Sequence, residues 1–379
     1  MRKVVVVLCV LFTGLLVAAV SAQYWEEVAS LNVGRRGHAT VLLHDGRVLT
    51  LGGHNSQLGY QSTSEIFDVN TGTWRLVGSM PSGLMDHAAV VLNDGRVLVS
   101  GGNTGSIRDD VYIFDPEAES WTTTTSMLWH RVSHTMTLLP SGDVLVAGGQ
   151  GYRDFEDPGV SPILPCELFN ATTETWGRTG SLKNGRSDHF ATLLQEDEYV
   201  LVDSGGTQTS ELYDIETGVW VAEAPMNCPH DDHIASLLND GRVLVAGGAS
   251  GSGNGYCTEI YDPLTREWTR VINLEDDVIE DHSQVVLTNG SVMLMGGMSC
   301  DPGCYYANNR VQIYDVQADS WTFGVPMKVA RASAENFVQF PDGRILMVGG
   351  DAWDSSSSRS LSSCEMFYPG NSTRTLDNV

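Results

Sequence analysis

The sequence predicts an all-β protein made of seven repeats closed into a ring, and three observations carry this prediction. First, a Trp is followed six residues later by Met or Leu at seven places: Trp25/Leu31, Trp74/Met80, Trp121/Met127, Trp176/Leu182, Trp220/Met226, Trp268/Leu274 and Trp321/Met327. Second, a double glycine also recurs seven times: Gly52-Gly53, Gly101-Gly102, Gly148-Gly149, Gly205-Gly206, Gly247-Gly248, Gly296-Gly297 and Gly349-Gly350. Third, successive Trp residues are 44 to 55 positions apart, a period typical of blades or arrays.

Each repeat predicts four antiparallel strands. In the second repeat, His87–Leu92 alternates enough for a first strand, and Asp94-Gly95 supplies the positive φ angles of a tight hairpin turn. Val97–Ser100 is the second strand and stops at a double glycine, where bulky side chains would not fit. Val111–Asp115 is the third strand, and Trp121 opens the fourth. We expect the large indole ring to pack against the next repeat.

The two ends of the chain predict how the ring closes. One repeat is too small to bury its own face, and a ring covers every sheet without leaving ends. The last repeat has a third strand at Glu365–Tyr368, but Arg374 stands where its Trp is expected. The missing fourth strand is found at the N-terminus, as Tyr24–Val28. The predicted fold is a seven-bladed β-propeller of four-stranded blades, closed by the N-terminal strand.

The repeat resembles the kelch repeat. It combines the double glycine and the spaced Trp with an aromatic residue and Asp at the end of the third strand: Phe67-Asp68, Phe114-Asp115, Tyr213-Asp214, Tyr261-Asp262 and Tyr314-Asp315. The resemblance covers essentially all of the chain after residue 23. It implies the fold and leaves function open, because propellers host many unrelated activities.

The first residues have the pattern of a secretory signal peptide. A basic start at Arg2-Lys3 precedes an apolar run, Val4–Val20, and small residues at Ser21-Ala22 allow cleavage before Gln23. The alternative is a membrane anchor, but the run is short for a span and Trp25 is needed in the ring. We expect a signal peptide at 1–22, the propeller at 23–370 and a tail at 371–379, and therefore a secreted, extracellular protein without a membrane span after cleavage.

The charge balance limits the partners. The chain carries 22 Lys and Arg against 47 Asp and Glu, a formal net charge of −25. Such a surface repels phosphate backbones and anionic lipid heads, so nucleic acid is not an expected partner. Extracellular glycans, basic proteins, cations and other small molecules remain.

Six cysteines follow the leader, and an even number in an exported chain predicts disulfides. Cys300 and Cys304 bracket a short turn and are expected to form a local bridge. Cys228 and Cys257 flank the inner half of blade five and form the second expected pair. Cys166 and Cys364 belong to distant blades, and the sequence does not pair them.

The loops divide between two faces. The face that we call the long-loop face carries the links between blades and the loops between second and third strands, which reach their greatest length at 150–165, 298–309 and 351–363. The opposite, short-turn face carries three N-glycosylation sequons, at Asn170, Asn289 and Asn371. Variable loops on a rigid scaffold usually bind ligands, which favours the long-loop face. The aromatic residues of these loops suit a sugar or a protein, and equally well only fix the loops: Tyr152, Phe155, Tyr256, Tyr305, Tyr306 and Trp353.

A ring of histidines is the first candidate for chemistry. The start of each first strand holds, in order, His38, His87, His134, His189, His233, His282 and Glu335, and in four blades the preceding residue is Asp: Asp86, Asp188, Asp232 and Asp281. Imidazoles and carboxylates around an axis are suited to a divalent metal. The alternative is a packing and hydrogen-bonding role, which a resemblance to kelch repeats favours.

Blades five and six depart most from the repeat. The candidate acid/base or catalytic residues there are His230, Asp232, His233, Asp281 and His282, and the candidate metal ligands are His230, His233, Asp277 and Asp281. Such a set suits Ca²⁺, which prefers oxygen ligands, or a transition metal. The alternative is a solvated acidic rim without a metal.

The chain also resembles the propeller domain of galactose oxidase-like proteins. That resemblance implies a Tyr-His ligand pair at the start of a first strand; His134 fits, but Ser133 stands in place of the Tyr. The copper-radical motif is therefore incomplete. The first functional hypothesis is a secreted propeller that binds a glycan or protein on its long-loop face. The alternative is an extracellular enzyme, metal-dependent or acid/base, oxidase-like or sugar-modifying, with its site at the channel mouth near blades five and six.

Overall fold

The computed structural model describes residues 22–152, 159–196, 198–230, 232–248, 256–274, 280–301, 304–332, 336–354 and 357–370. These residues form antiparallel β-structure throughout. None of the described residues lies in a helix long and apolar enough to cross a membrane.

Seven four-stranded sheets form the blades of a propeller, which confirms the predicted fold class. From the axis outwards, blade one consists of β2 (Arg36–Leu42), β3 (Val48–Asn55), β5 (Ser64–Asp68) and β6 (Thr73–Val77), and blade two of β7 (Ala88–Val91), β8 (Val97–Ser100), β9 (Val111–Asp115) and β10 (Ser120–Thr123). Blade three consists of β11 (Thr135–Leu138), β12 (Val144–Ala147), β15 (Glu167–Asn170) and β16 (Thr175–Arg178). Blade four consists of β17 (Phe190–Leu193), β18 (Tyr199–Asp203), β19 (Ser210–Asp214) and β20 (Val219–Ala222). Blade five consists of β21 (Ile234–Leu237), β22 (Val243–Ala246), β23 (Thr258–Asp262) and β24 (Glu267–Arg270). Blade six consists of β25 (Ser283–Val286), β26 (Val292–Met295), β29 (Val311–Asp315) and β30 (Ser320–Phe323). Blade seven consists of β31 (Phe337–Gln339), β32 (Ile345–Val348), β35 (Cys364–Tyr368) and β1 (Tyr24–Val28).

Short hairpins rise from the blades on the long-loop face. They are β4 (Gly59–Tyr60) with the end of β3, β13 (Gln150–Tyr152) with β14 (Val160–Pro162), β27 (Met298–Asp301) with β28 (Cys304–Ala307), and β33 (Asp351–Asp354) with β34 (Ser357–Ser360). The blade-six and blade-seven hairpins contact each other through β28 and β33. The Ser360 hydroxyl donates to the carbonyl of His54, which joins the blade-seven hairpin to blade one. Blades six, seven and one therefore share a continuous hairpin wall.

The N-terminal strand closes the ring, as the sequence predicts. β1 pairs with β35 in antiparallel register, from Tyr24 opposite Tyr368 to Val28 opposite Cys364. The first strands contact each other in order from β2 through β7, β11, β17 and β21 to β25, and β2 of blade one contacts β31 of blade seven. Residues from both ends of the chain thus form one sheet.

The apolar core lies between neighbouring blades, and it corrects one expectation. Each outer-strand Trp packs on the preceding blade and not on the next one. Trp220 of blade four, for example, packs with Leu139 and Leu145 of blade three. Its indole nitrogen donates to the carbonyl of Gly180 in the link between these two blades, at 3.1 Å. The sequence gives the spacing of the Trp residues but not which neighbour each ring faces.

A second correction concerns the glycine pair of blade four. The position that other blades give to the first glycine is occupied by Ser204, with φ of 54°, followed by Gly205. The Arg186 guanidinium donates to the Ser204 carbonyl, as Arg131 does to the carbonyl of Gly148. The structural pair is therefore Ser204-Gly205, one residue before the predicted Gly205-Gly206. The serine hydroxyl donates to the carbonyl of His230, which compensates for the crowding that a side chain brings here.

Replacing Trp25 tests the closure. The Trp25 indole packs against Phe367 and donates to the carbonyl of Val325, so Trp25→Ala removes core packing and a hydrogen bond at the seam. We expect a loss of about 3 to 5 kcal/mol in the free energy of unfolding, measured by urea denaturation. Glu27→Ala changes an exposed residue of the same strand and is the control; it should change stability by less than about 0.5 kcal/mol. Equal effects of the two variants would contradict closure by β1.

Candidate functional site: the axial mouth

A cavity of about 560 Å³ lies on the propeller axis and opens among the long loops. The first strands and the residues just before them line it, because these strands surround the axis. Four of the lining residues are the aspartates that precede the ring histidines: Asp86, Asp188, Asp232 and Asp281. We call this end of the cavity the mouth.

Backbone geometry holds these aspartates in place. Gly37, Asp86, Ser133, Asp188, Asp232 and Asp281 share a left-handed conformation, with φ between 49° and 55°. Their main chains are hydrogen-bonded from blade to blade: Asp86 N donates to Gly37 O, and Ser133 N donates to Asp86 O. Asp281 N likewise donates to Asp232 O. Asp and Asn tolerate this conformation better than most residues, which explains why short acidic side chains recur here.

The carboxylates of the mouth influence each other electrostatically. Burial, and less strongly the negative charge of Asp188, raise the pKa of Asp86 to about 6, although Arg36 opposes the shift. A partly desolvated carboxyl group surrounded by others favours a cationic or hydrogen-bond-donating ligand that would relieve the repulsion.

The hairpin wall completes one side of the mouth. Arg36 forms a salt bridge of 3.1 Å with Asp351, which also accepts from the hydroxyl of Ser358. Trp353 on the same hairpin lines the cavity and keeps 38% of its surface exposed. Met298 of blade six lies on this side as well. The mouth therefore combines an acidic ring with an exposed indole.

The ring histidines lie between blades. A Cβ added to Gly101 would meet the His134 ring at 2.8 Å, and one added to Gly148 would meet the His189 ring at 2.7 Å. The His134 ring also contacts Ser100, Nε2 to hydroxyl, at 2.9 Å. Burial lowers the pKa of His87 to about 4 and holds that of His134 and His189 well below the usual value. Neutral imidazoles packed over glycines support the packing role that the kelch resemblance favours.

A second repeated arrangement, which we call the arginine lock, fixes the links between blades. A glutamate of the third strand accepts backbone N–H groups from the link and pairs with an arginine of the same link. In blades one, three and four this arginine stands three residues before the ring histidine. In blade four, Glu211 accepts from the amides of Lys183 and Asn184, while Arg186 pairs with it at 3.0 Å. The four such pairs among the described residues, all almost completely buried, are Arg35–Glu65, Arg131–Glu167, Arg186–Glu211 and Arg331–Glu365.

His230 occupies the arginine position in blade five. Its Nδ1 lies 2.5 Å from the carbonyl of Gly247 and its Nε2 lies 3.3 Å from Glu259. The side chain is fully buried. Both ring nitrogens are therefore engaged in holding the link, and this conformation leaves His230 none for a metal or a substrate.

The other candidates of blades five and six separate into two groups. Asp232, His233 and Asp281 line the cavity, whereas His282 is fully buried. The Nε2 atom of His233 lies 2.5 Å from the carboxylate of Asp203. Asp277 and Glu335 lie outside the described residues. Within the described part of the chain, the one group of His, Cys, Asp and Glu close enough to share a metal is Cys228, Cys257 and Glu259, and its cysteines are joined.

The aromatic candidates are spread over the long-loop face. Trp353 reaches the mouth, while Tyr152 stands on the blade-three hairpin with its ring edge-on to His130. Tyr256 packs against the core between blades five and six, and Tyr306 is half-buried on β28. Phe155 lies outside the described residues, as does the side chain of Tyr305. Of the four candidate rings that the structure describes, Trp353 lines the cavity.

The cysteines follow the prediction for one pair. Cys228 and Cys257 form a disulfide, as expected. Cys166 and Cys364 are buried free thiols at equivalent positions, immediately before the lock glutamates. Burial raises the pKa of each thiol to about 11. The side chains of Cys300 and Cys304 lie outside the described residues, so that bridge stays a prediction.

The two sequons that the structure describes lie at turns, as expected. The side-chain Oδ1 of Asn170 accepts from the amide of Thr173, and that of Asn289 accepts from the amide of Ser291, so neither bond uses the side-chain amide nitrogen. Asn371 lies outside the described residues. Glycosylation itself stays a prediction.

Several residues of the mouth were not singled out from the sequence: Arg36, Met298 and Asp351. Asp351 directly follows a double glycine, and an acidic residue at that position is the sequence feature that could have indicated its place in the mouth. The contact between Arg36 and Asp351 joins residues 315 positions apart, a distance that a repeat pattern does not bridge.

Comparisons with known proteins agree with this architecture. A family model for the Attractin/LZTR1 β-propeller matches residues 11–161. Kelch-like protein 36 of Bos taurus is 26% identical over 184 residues, covering 44% of this chain and 29% of that protein. Kelch-like protein terF of Aspergillus terreus is 25% identical over 156 residues, covering 36% and 33%. The matches thus span about a third or less of these curated relatives.

A solved structure gives the fold over a longer range. A fungal alcohol oxidase of the AA5 family, in complex with copper, superposes with a TM-score of 0.72 at 16% identity, covering 92% of this chain and 76% of that one. At this identity the likeness concerns the fold alone. The protein is a seven-bladed propeller whose blades follow the kelch pattern. More particularly, its sequence is similar to kelch-like proteins over less than half of its length, and its fold is like that of the AA5 oxidase.

The raised pKa of Asp86 gives a pH-dependent prediction. The pKa is about 6 in the folded protein and about 3.9 unfolded, so the folded state loses stability as pH rises from about 4 to 6. Asp86→Asn removes this loss and keeps the left-handed backbone acceptable. We expect the variant to be more stable than the wild type by up to about 3 kcal/mol at pH 7.5, with little difference at pH 4.

Urea denaturation at the two pH values measures the effect. Glu117→Gln removes one exposed negative charge on the short-turn face and serves as the control. A gain for Asp86→Asn that is the same at both pH values would show that the carboxyl group titrates normally.

Proposed function

We propose that the protein is a secreted kelch propeller that binds an extracellular glycan or protein through the mouth on its long-loop face. One observation carries the proposal: four aspartates from different blades line a cavity that also exposes the indole of Trp353. The arrangement combines charge, hydrogen-bond acceptors and a flat apolar ring at the end of the molecule where the loops vary most.

The chemistry of the mouth defines two ligand types. Carboxylates accept hydrogen bonds from sugar hydroxyls, and an aromatic ring packs on the apolar face of a sugar. Carboxylates also pair with Lys or Arg, and a Trp beside them is a frequent anchor at protein interfaces. The net charge of −25 attracts basic partners over a longer range.

A binding experiment with two probe sets tests the mouth. The mature chain is applied to an array of neutral glycans and to immobilised Arg- and Lys-rich peptides. Trp353→Ala is expected to weaken binding on the order of tenfold, because truncating a central aromatic anchor costs more than about 1 kcal/mol. Asp232→Asn should weaken peptide binding more than glycan binding. Added salt should weaken the peptide complex alone.

Matched changes on the short-turn face are the controls. Leu264→Ala removes an exposed apolar side chain, and Glu216→Gln removes an exposed charge, each far from the mouth. Neither should alter binding. Losses of equal size for mouth and control variants, or binding unaffected by the mouth variants, would refute the proposed site. Turnover of a probe instead of stable binding would favour the enzyme alternative.

Secretion is a separate part of the proposal, supported by the leader pattern at residues 1–22. Expression of the full chain in a secretory host should place the protein in the medium with Gln23 as its first residue, as read by mass spectrometry of the N-terminal peptide. Recovery of the intact leader in the cell or in its membranes would contradict this part and leave the mouth untouched.

A further inference from the structure

Blade five departs from the arginine lock at three positions that meet in space. In blade four these positions are held by Asn184, Arg186 and Thr209, and in blade one by Val33, Arg35 and Thr63. In blade five they are held by Cys228, His230 and Cys257. The replacement of an arginine thus coincides with a disulfide between the two flanking positions.

The arginine normally ties three segments together. In blade one, Arg35 donates to the carbonyl of Gly52 at the end of the second strand, at 2.7 Å. It also donates to the carbonyl and hydroxyl of Thr63, at 2.9 and 3.1 Å, and pairs with Glu65. One guanidinium therefore holds the link against both the second strand and the start of the third.

The imidazole of His230 reproduces part of this set. It contacts the carbonyl of Gly247 and the carboxylate of Glu259, the counterparts of Gly52 and Glu65. At the third tie, where Arg35 meets Thr63, blade five has Cys257, and this residue is covalently bound to Cys228 of the link. The link is therefore attached to the third strand through sulfur instead of through a guanidinium.

We propose that the Cys228–Cys257 disulfide replaces the missing part of the arginine lock. Reduction of this disulfide would then loosen the part of the mouth that blade five contributes. The link that it holds continues directly to Asp232 and His233, which line the cavity. The carbonyl of Asp232 accepts from the amide of Asp281, so the position of the link is passed on to blade six. Any effect on ligand affinity rests on the proposed function, whereas the structural coupling does not.

The chemistry is a thiol–disulfide exchange with a dithiol such as dithiothreitol. The first thiolate of the dithiol attacks one sulfur, and the second closes the reductant into a cyclic disulfide. Two electrons pass to the protein, and Cys228 and Cys257 are left as two thiols. His230 then holds the link with its two hydrogen bonds alone.

Hydrogen exchange on the mature chain tests the coupling. In the oxidised protein, a peptide spanning 227–238 should exchange slowly, and dithiothreitol should accelerate its exchange on the order of tenfold. The equivalent blade-four peptide, 183–194, has an intact arginine lock and should not change. Alkylation and mass measurement verify that the disulfide was reduced. Acceleration of both peptides alike would overturn the proposal, because it would indicate general loosening.

Two variants make the test independent of reagent access to a buried bond. Cys228→Asn with Cys257→Thr removes the disulfide, and its 227–238 peptide should exchange rapidly with and without dithiothreitol. Adding His230→Arg builds the residue set of blade four, so slow exchange should return and become insensitive to the reductant. If the double variant is as protected as the oxidised wild type, the disulfide is not a tie and the proposal fails. These readouts use no ligand, so failure of the proposed function leaves them unaffected.

Discussion

In blades one, three, four, five and seven, a buried carboxylate organises the link from the preceding blade. The lock glutamates have no exposed surface, and an unpaired charge at such a place would cost several kcal/mol. Glu65 meets this demand with the amides of Asn32 and Val33 and with the guanidinium of Arg35. Because the link must present these donors, its path is fixed before the chain enters the first strand. The left-handed residue and the ring histidine follow the link directly. The geometry of the mouth therefore depends on the contacts between the lock glutamate and the link.

The ring tolerates different solutions at this position. Blade two has Leu84 and Tyr112 at the positions that the arginine and the glutamate occupy in the four lock pairs, and both are buried. Replacing a buried ion pair by apolar side chains of similar volume is often neutral for stability. The arginine lock is therefore a local feature of the blades that carry it, and its variation among blades breaks the symmetry of the ring.

The repeat pattern predicted most of the architecture, because its period and glycines are set by packing that is the same in every blade. The strands of blade two, the closure by Tyr24–Val28 and the Cys228–Cys257 bridge were predicted and are present. The placement of His230 was not foreseen, although a signal existed. Aligning the repeats puts His230 at the position of Arg186, three residues before the ring histidine.

Other features escaped because they depend on contacts across the ring. The sequence does not say toward which neighbour a Trp turns, nor that the hairpins of blades six and seven meet. The glycine pair of blade four was misplaced by one residue because Ser204 accepts a conformation that glycine usually takes. A left-handed position is visible in the sequence when glycine occupies it, but not when a serine does, as Ser204 does here.

The closure has a consequence for biosynthesis. β1 leaves the ribosome long before β35, the strand with which it pairs. Trp25 of β1 likewise donates to the carbonyl of Val325, 300 positions later. At translation rates of about 5 to 20 residues per second, β1 waits roughly 20 to 70 seconds for its partner. An unpaired strand is prone to join the wrong sheet, and charged side chains oppose this. β1 carries two such charged side chains, Glu26 and Glu27, both of them exposed.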